Sequence, residues 1–166
     1  MAINKKISQF FFPSLTPAFL IRAGCVALLA YLIFGHLLTP LRIQGNSMEP
    51  AYQNGEVNFC SKLRYLFSKP KRGDVVVIRF TGQRITLLKR VIGLENEEVE
   101  FQNGRLLING KEQDEPYLQY PYDWTLPPRR VEPNSVYVVG DNMKGPMQNH
   151  IFGQTSLTRI LGGHLW

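Results

Sequence analysis

A serine in the stretch IQGNSMEPAY, Ile43 to Tyr52, has the surroundings of either a nucleophile or a turn residue. Ser47 follows a Gly-Asn pair and precedes Met48, with a proline three residues after the serine. Gly, Asn, Ser and Pro are all frequent in turns, so the stretch alone favours an ordinary turn hydroxyl. A serine acts as a nucleophile only when an adjacent base activates it. The two interpretations therefore differ in whether the chain supplies such a base.

Lys89 is the strongest candidate for that base. It interrupts the apolar stretch ITLLKRVIGL, and strand alternation places it on the same face as Ile85, Leu87 and Val91. Arg90 then points to the opposite face, where we expect an ordinary exposed cation. Removing an ammonium group from water lowers its pKa, and a neutral amine can accept the proton of a serine hydroxyl. The simpler alternative is a lysine on a strand edge, where it discourages aggregation.

Histidines and cysteines offer no better site. His150 and His164 are candidate bases, but neither has distinctive neighbours, so we interpret both as structural. The two cysteines, Cys25 and Cys60, and the three histidines are scattered and lack the spacing of metal ligands. The sequence therefore predicts no metal and no other cofactor.

Residues 18–38, AFLIRAGCVALLAYLIFGHLL, predict a transmembrane helix. A helix of this length spans about 31 Å, which is enough to cross the hydrocarbon core. Lys5 and Lys6 precede it, so the positive-inside rule places residues 1–17 in the cytoplasm and residues 39–166 outside. The chain is then a single-pass protein of the inner or plasma membrane. A cleaved signal sequence is the alternative, but no convincing small-x-small site follows the segment.

The basic charge is concentrated near this segment. The formal net charge is +6, yet no Asp or Glu precedes Glu49, and four cations there contribute +4. The rest of the chain carries only 15 basic and 13 acidic residues, which leaves +2. Nucleic-acid binding requires a basic stripe that this portion lacks. Membrane lipid is the expected partner, and nucleic acid is not.

Residues 39–166 predict a mainly β, barrel-like domain. Alternation in GEVNFCSKL, the β-branched run in RGDVVVIRF, and the stretches SVYVVGDN and SLTRILGGHLW each indicate a strand. The run in RGDVVVIRF suits a strand buried on both faces. Asn103-Gly104 between two apolar segments predicts a hairpin. The Pro-rich residues 115–133 predict a long irregular connection on the surface.

Four stretches together resemble the sequence boxes of type I signal peptidases, which are membrane-anchored Ser/Lys proteases. In chain order they are GNSMEP, KRGDVVVIR, LLKRVIGLENEEVEFQNGRLLINGKEQDEPY and VYVVGDN. The serine box and the KRVIG box in this order, after one membrane segment, are highly specific. The resemblance implies a signal-peptidase-like β-domain that removes signal peptides from exported preproteins.

The resemblance also assigns roles to single residues. Ser47 matches the family nucleophile, Lys89 matches the general base, and Met48 matches the methionine after the nucleophile. Gly45 falls where some members have a hydroxyl residue at the oxyanion hole and others have glycine. With glycine the hole rests on backbone N–H groups, of which that of Ser47 is the first candidate, and Gly45 with Asn46 leaves room for an extended substrate.

The last box departs from the family pattern, which continues from GDN into Arg, a serine, and then Asp-Ser-Arg. Asp141 and Asn142 match the pattern. The departures are Met143, Pro146, Gln148 and His150. None of them is the nucleophile or the base, so the open question is what positions Lys89. We expect Asp141, Asn142 or His150 to take over part of that support.

Three other functions stay open at this point. A specialised Ser/Lys peptidase, of the conjugation-pilus or mitochondrial inner-membrane type, would share the same chemistry. A catalytically silent, anchored domain that binds exported peptides would explain the altered last box. A self-cleaving repressor also uses Ser and Lys, but it would need a DNA-binding domain in place of the apolar segment.

Overall fold

The computed structural model describes residues 16–79, 86–118 and 123–165. The chain divides into two units, Met1–Leu38 and Thr39–Trp166. Within the described residues of the first unit, helix α1 spans Pro17–Leu32 and continues as a π-helical turn over Ile33–Leu37. Thr16 caps the helix by accepting a hydrogen bond from the Phe19 N–H, as expected for an N-cap threonine.

The helical segment is apolar over its whole surface. Its 21 residues, Pro17–Leu37, contain one charged side chain, Arg22, and form the candidate membrane span among the described residues. An apolar surface on every side suits a lipid environment, because an amphipathic helix would keep a polar face for water. The segment begins and ends one residue earlier than residues 18–38, the predicted bounds. The predicted cytoplasmic residues 1–17 fall almost entirely outside the described residues.

Eleven strands are seen in the described part of the second unit and at its junction with the first. They are β1 Leu38–Arg42, β2 Val57–Ser61, β3 Val75–Arg79, β4 Thr86–Gly93, β5 Glu98–Gln102, β6 Arg105–Ile108, β7 Lys111–Glu112, β8 Leu126–Arg130, β9 Ser135–Val139, β10 Gly153–Ser156 and β11 Ile160–His164. Seven form one sheet in the order β1-β2-β11-β3-β4-β9-β10, and four form a second in the order β7-β6-β5-β8. The prediction of a mainly β domain is confirmed.

The predicted hairpin is the connection of β5 and β6. Asn103 and Gly104 have φ angles of 46° and 81°, the left-handed backbone that a type I′ turn requires. The cross-strand pairs Gln102 with Arg105 and Phe101 with Leu106 close directly behind the turn. The local turn chemistry therefore sets the register of this strand pair.

The irregular connection predicted for residues 115–133 is wrong over Leu126–Arg130. These residues form β8, which pairs with β5 through Glu98 with Arg130 and Phe101 with Leu126. Pro127 and Pro128 are compatible with a strand here because β8 lies at the edge of its sheet, where proline is tolerated. Residues 119–122 of the same stretch lie outside the described residues.

Two apolar clusters of described residues stabilise the second unit. The larger one contains residues of both sheets, including Ile92 of β4 and Phe101 of β5. The smaller one covers the other face of the seven-stranded sheet and contains Val76 and Val91. The middle strands β3, β4 and β9 are therefore buried on both faces. All four apolar residues of β3 are buried, as RGDVVVIRF predicts.

We predict that Phe101→Ala lowers the free energy of unfolding by about 3–5 kcal/mol, because it leaves a cavity at a fully buried position of the larger cluster. The measurement is a urea titration of the full chain in detergent, followed by circular dichroism. Phe67→Ala is the matched control, since that ring is 95% exposed, and it should unfold like the unmodified chain. Equal midpoints for the two variants would contradict the prediction.

Candidate active site

The Lys89 side chain is buried in the apolar face that the sequence predicts. It lies in β4 opposite Val76 of β3 and is only 4% exposed. Val76 and Val91, on the same face, belong to the smaller apolar cluster. Burial lowers the pKa of Lys89 to about 8, and the charge of Asp141 partly opposes this shift. A substantial fraction of the amine is therefore neutral near pH 8. Ile85, predicted for the same face, is outside the described residues.

Ser47 lies in a tight turn that keeps its backbone N–H accessible. The turn is closed by two hydrogen bonds, from the Glu49 N–H to the Asn46 carbonyl and from the Tyr52 N–H to the Met48 carbonyl. Ser47 is half-buried, and its own N–H donates to no group among the described residues. That N–H is consequently available to a developing oxyanion.

Gly45 and Met48 shape the turn from its two ends. Gly45 has a φ angle of 87°, which favours glycine, and its N–H donates to Asn54 Oδ1 over 3.0 Å. Met48 is 1% exposed, so its buried side chain anchors the turn to the interior of the unit. Gly45 and Asn46 are both exposed on the outer side of the turn.

Gly140 connects the serine turn to the lysine strand. The β4–β9 register pairs Arg90 with Val139, and one further step places Gly140 opposite Lys89. A Cβ atom on Gly140 would overlap the Ser47 carbonyl oxygen and come within 3.2 Å of Ser47 Cβ. The turn backbone thus packs directly on the residue beside Lys89. No hydrogen bond joins the Ser47 hydroxyl to the Lys89 amine in the described part of the chain, and catalytic hydrogen bonds are often long before substrate binds.

Asn142 and Asp141 follow Gly140 and have separate roles. The Asn142 N–H donates to the Ser47 carbonyl, and Asn142 Nδ2 donates to the Asn46 carbonyl, both over 3.0 Å. Asp141 is fully buried and forms a bidentate ion pair with Arg90 of 2.7 and 2.5 Å. Asn142 therefore supports the serine turn directly. Asp141 influences the pKa of Lys89 through its charge.

The expectation that Arg90 is an ordinary exposed cation is wrong. Its side chain is 12% exposed and forms the ion pair with Asp141, and it also donates to the Gly73 carbonyl over 2.8 Å. The ring of Tyr117 lies 4.4 Å from the guanidinium carbon, in a cation–π contact. Alternation does turn Arg90 to the face opposite Lys89, but Asp141, Gly73 and Tyr117 cover its side chain there.

Two of the four residues that depart from the family pattern are held by other contacts. Met143 is 1% exposed and packs in the larger apolar cluster, so an apolar side chain suits its position. His150 Nε2 lies 2.7 Å from the Lys144 carbonyl, and its ring contacts Trp124 edge-on at 4.8 Å. Trp124 Nε1 in turn donates to the Gly145 carbonyl. His150 thus stabilises the loop that follows Asn142, because its hydrogen-bond partner, the Lys144 carbonyl, lies in that loop.

A groove of about 390 Å³ leads to the serine. One wall is the chain from Leu41 through Ser47 and Met48, and the other contains Thr86–Leu88 at the beginning of β4. Both walls are extended or turn backbone, so the groove suits a peptide in extended conformation.

Comparison with known proteins identifies the family. The family model described as signal peptidase, peptidase S26, matches residues 17–165. This chain belongs to that family. The fold and the family predicted from the serine and KRVIG boxes are thereby confirmed.

Curated relatives of the signal peptidase family match most of the chain. Signal peptidase I of Leptolyngbya laminosa is 34% identical over 128 residues, covering 72% of this chain and 63% of the relative. Signal peptidase I of Bacillus caldolyticus is 31% identical and covers 82% of this chain and 80% of the relative. Signal peptidase I S of Bacillus subtilis is 35% identical and covers 73% of this chain and 71% of the relative. The chain therefore spans about two thirds to four fifths of the length of these relatives.

Sequence reasoning missed three contributors to the site. Gly140 and Trp124 act through contacts with residues distant in sequence, and the ion pair of Arg90 depends on the β4–β9 register. The glycine preceding the Asp-Asn turn in VYVVGDN was the one local signal for a close backbone approach. The assignments of Ser47 and Lys89 as catalytic residues, and of the supporting residues, stay predictions.

We predict that Gly140→Ala slows acylation of Ser47 by on the order of 10²-fold, because the new methyl group displaces the turn from the lysine strand. The measurement is the labelling rate with a serine-directed acylating inhibitor. Gly24→Ala is the matched control, since nothing lies within 4 Å of its added Cβ. A Gly140→Ala variant that is labelled as fast as the control would contradict the packing argument.

Proposed function

We propose that this signal peptidase family member is a membrane-bound serine endopeptidase that removes N-terminal signal peptides from exported preproteins. The observation that carries the proposal is the buried Lys89 amine, which has a pKa of about 8. Lys89 lies opposite Gly140, the residue on which the Ser47 turn packs. A buried lysine with a lowered pKa can act as a general base at ordinary pH.

The reaction proceeds through an acyl-enzyme. Ser47 Oγ attacks the scissile carbonyl carbon while Lys89 Nζ takes the hydroxyl proton. The Ser47 N–H stabilises the oxyanion, and the protonated lysine then gives its proton to the leaving amine. A water molecule gives a proton to Lys89 and attacks the ester carbonyl carbon. The ester bond to Ser47 Oγ then breaks, the protonated lysine returns the proton to that oxygen, and the signal peptide leaves with a free carboxylate. The apolar surroundings of Lys89 favour the return of the amine to its neutral form.

The groove supports an extended peptide as the substrate. A segment of preprotein lying between the Leu41–Ser47 wall and the Thr86–Leu88 wall would pair with backbone on both sides. Strand pairing explains how one site accepts many sequences, because main-chain hydrogen bonds are independent of side chains.

The apolar segment Pro17–Leu37 supports a single-pass location in the inner or plasma membrane. The basic residues Lys5 and Lys6 favour a cytoplasmic N-terminus, with the β unit on the other side of the membrane. Preproteins emerge on that side with their signal peptides still in the bilayer. An anchored peptidase meets them there at high effective concentration.

One observation favours a second candidate, an anchored domain that binds exported peptides without cleaving them. Met143, Pro146, Gln148 and His150 replace residues of the family pattern. Cleavage of a preprotein distinguishes the two candidates. A specialised pilus or mitochondrial-type peptidase would differ in which of several preproteins it cleaves.

We predict that Ser47→Ala and Lys89→Met, made separately, each abolish processing of a signal-peptide substrate by the full chain in membranes. Methionine matches the length of the lysine and removes its charge, so the buried position remains filled. The assay follows the shortened preprotein by gel electrophoresis. Lys62→Met, at an exposed lysine, is the matched control and should process normally. Processing at the normal rate by either dyad variant would exclude the dyad.

We predict a pH profile for this activity that follows the lysine. Lys89 must be neutral to accept a proton, so the rate falls about tenfold per pH unit well below the pKa of about 8 and is level above it. The Asp141 charge raises the pKa of Lys89, so Asp141→Asn should move the acidic limb to lower pH. Asp74→Asn removes a carboxylate paired with Arg64 and should leave the limb in place. A shift toward higher pH in Asp141→Asn would contradict this assignment.

A further inference from the structure

Tyr52 closes the turn that contains Ser47, and its side chain reaches strand β11. Its N–H donates to the Met48 carbonyl over 3.0 Å, so its backbone is part of the turn. Its hydroxyl oxygen lies 2.9 Å from Nδ1 of His164 in β11, a hydrogen bond between two side chains. The two rings also meet edge to face, with their centres 4.6 Å apart. The serine turn is thus connected to β11 through this pair.

The burial of His164 is not explained by packing alone. The residue is 4% exposed, and burial lowers the pKa of its ring. Its Nε2 atom is buried without a hydrogen-bond partner among the described residues. A buried polar atom without a partner destabilises the folded state, and an apolar side chain of similar size would avoid that penalty. What an apolar side chain would lack is the hydrogen bond of Nδ1 with Tyr52.

The backbone of His164 is held in place by its neighbours. Arg64 donates to the His164 carbonyl over 2.6 Å and is itself held by Asp74. Its side chain packs against Gly163, because a Cβ atom at that glycine would overlap Arg64 Cδ. β11 is also an inner strand, between β2 and β3. His164 therefore offers Tyr52 a partner on a fixed part of the unit.

The register of the sheet places His164 on the same face as Arg90. Gly163 of β11 pairs with Val76 of β3, and Val75 of β3 pairs with Arg90 of β4. One further step along β11 places His164 opposite Val75, and residues opposite each other across a sheet point to the same face. His164 and the arginine that follows the candidate base thus belong to one row of side chains across three strands.

Charges on this face act on the hydroxyl of Tyr52 as well. Burial raises the pKa of Tyr52, and the charges of Arg90 and Asp141 alter it in opposite directions. The pKa of the His164 ring is lowered, so both groups are uncharged near pH 8, where Lys89 titrates. The hydrogen bond between them therefore persists over the pH range in which the candidate base changes its charge.

We propose that Tyr52 and His164 are positioning residues for Ser47, which hold the end of its turn to β11. The Ser47 carbonyl is held separately, by the Asn142 N–H after β9. Two attachments to different parts of the sheet restrict a rotation of the turn that one attachment would allow. Such restriction matters because a displacement of about 1 Å at a reacting group can slow a reaction by on the order of 10²-fold.

This role is more specific than the structural one expected for His164 from its neighbours in the sequence. The inference rests on the proposed function, in which Ser47 is the nucleophile.

The test compares the labelling of Ser47 by a serine-directed acylating inhibitor in full-chain variants in detergent. Tyr52→Phe removes only the hydroxyl and should lower the labelling rate at saturation about tenfold, which corresponds to one hydrogen bond of ordinary strength. The half-saturating concentration should not change, because neither Tyr52 nor His164 lines the groove. Tyr65→Phe is the matched control, since it removes a half-buried hydroxyl bonded to Asp74 and should be labelled normally.

Two replacements of His164 separate positioning from packing. His164→Leu fills the buried space but offers no hydrogen-bond partner, whereas His164→Asn leaves space but places an amide oxygen near the position of Nδ1. A positioning role predicts faster labelling for His164→Asn, and a packing role predicts faster labelling for His164→Leu. Combining Tyr52→Phe with His164→Leu should slow labelling no further than either change alone, because both remove the same bond.

The pH profile of labelling provides a further readout. The acidic limb of Tyr52→Phe should stay where it is in the unmodified chain, because a positioning residue changes the rate and not the pKa of Lys89. Normal labelling of Tyr52→Phe, a displaced limb, additive effects in the double variant, or faster labelling of His164→Leu than of His164→Asn would each overturn this inference alone. An unmodified chain that is not labelled at Ser47 would overturn the proposed function, and the inference with it.

Discussion

The site depends on keeping the amine of Lys89 out of water without giving it a carboxylate. Asp141 is near enough for its charge to influence the pKa of that amine. Both Asp141 oxygens, however, are engaged by Arg90 in a bidentate pair. A free carboxylate would attract the ammonium form and raise its pKa toward that of an ordinary lysine. The adjacent arginine therefore helps to keep the pKa of the lysine low, as the proposed role of general base requires.

This arrangement requires that two neighbouring cations on one strand have different surroundings. Lys89 is on the face of the smaller apolar cluster, and Arg90 is on the face toward the second sheet. A strand buried on both faces makes that separation possible, because consecutive side chains enter different interiors. The serine reaches the same place through backbone contacts with Gly140 and Asn142. Positioning by backbone leaves the hydroxyl and the N–H of Ser47 available for chemistry.

The sequence predicted those features of the structure that depend on residues close together in the chain. The alternation around Lys89 predicted its burial, and Asn103-Gly104 predicted a hairpin because both residues tolerate positive φ. The pairing of β8 with β5 and the contact of Arg90 with Asp141 were not predictable in the same way. Both depend on registers between segments far apart in sequence, and no local pattern encodes them. The prolines of β8 also argued against a strand, and only its edge position removes that objection.

The edges of the two sheets have a consequence for a protein that handles unfolded chains. An open strand edge can capture any extended peptide by backbone pairing. The four edge strands of the described sheets are β1, β10, β7 and β8. Pro40 has no N–H and interrupts the row of hydrogen-bonding groups on β1, and Pro127 and Pro128 interrupt the row on β8. The other two edge strands are short, because β7 has two residues and β10 has four. Extended polypeptides therefore meet few open strand edges to pair with, which favours binding in the proposed substrate groove at Ser47.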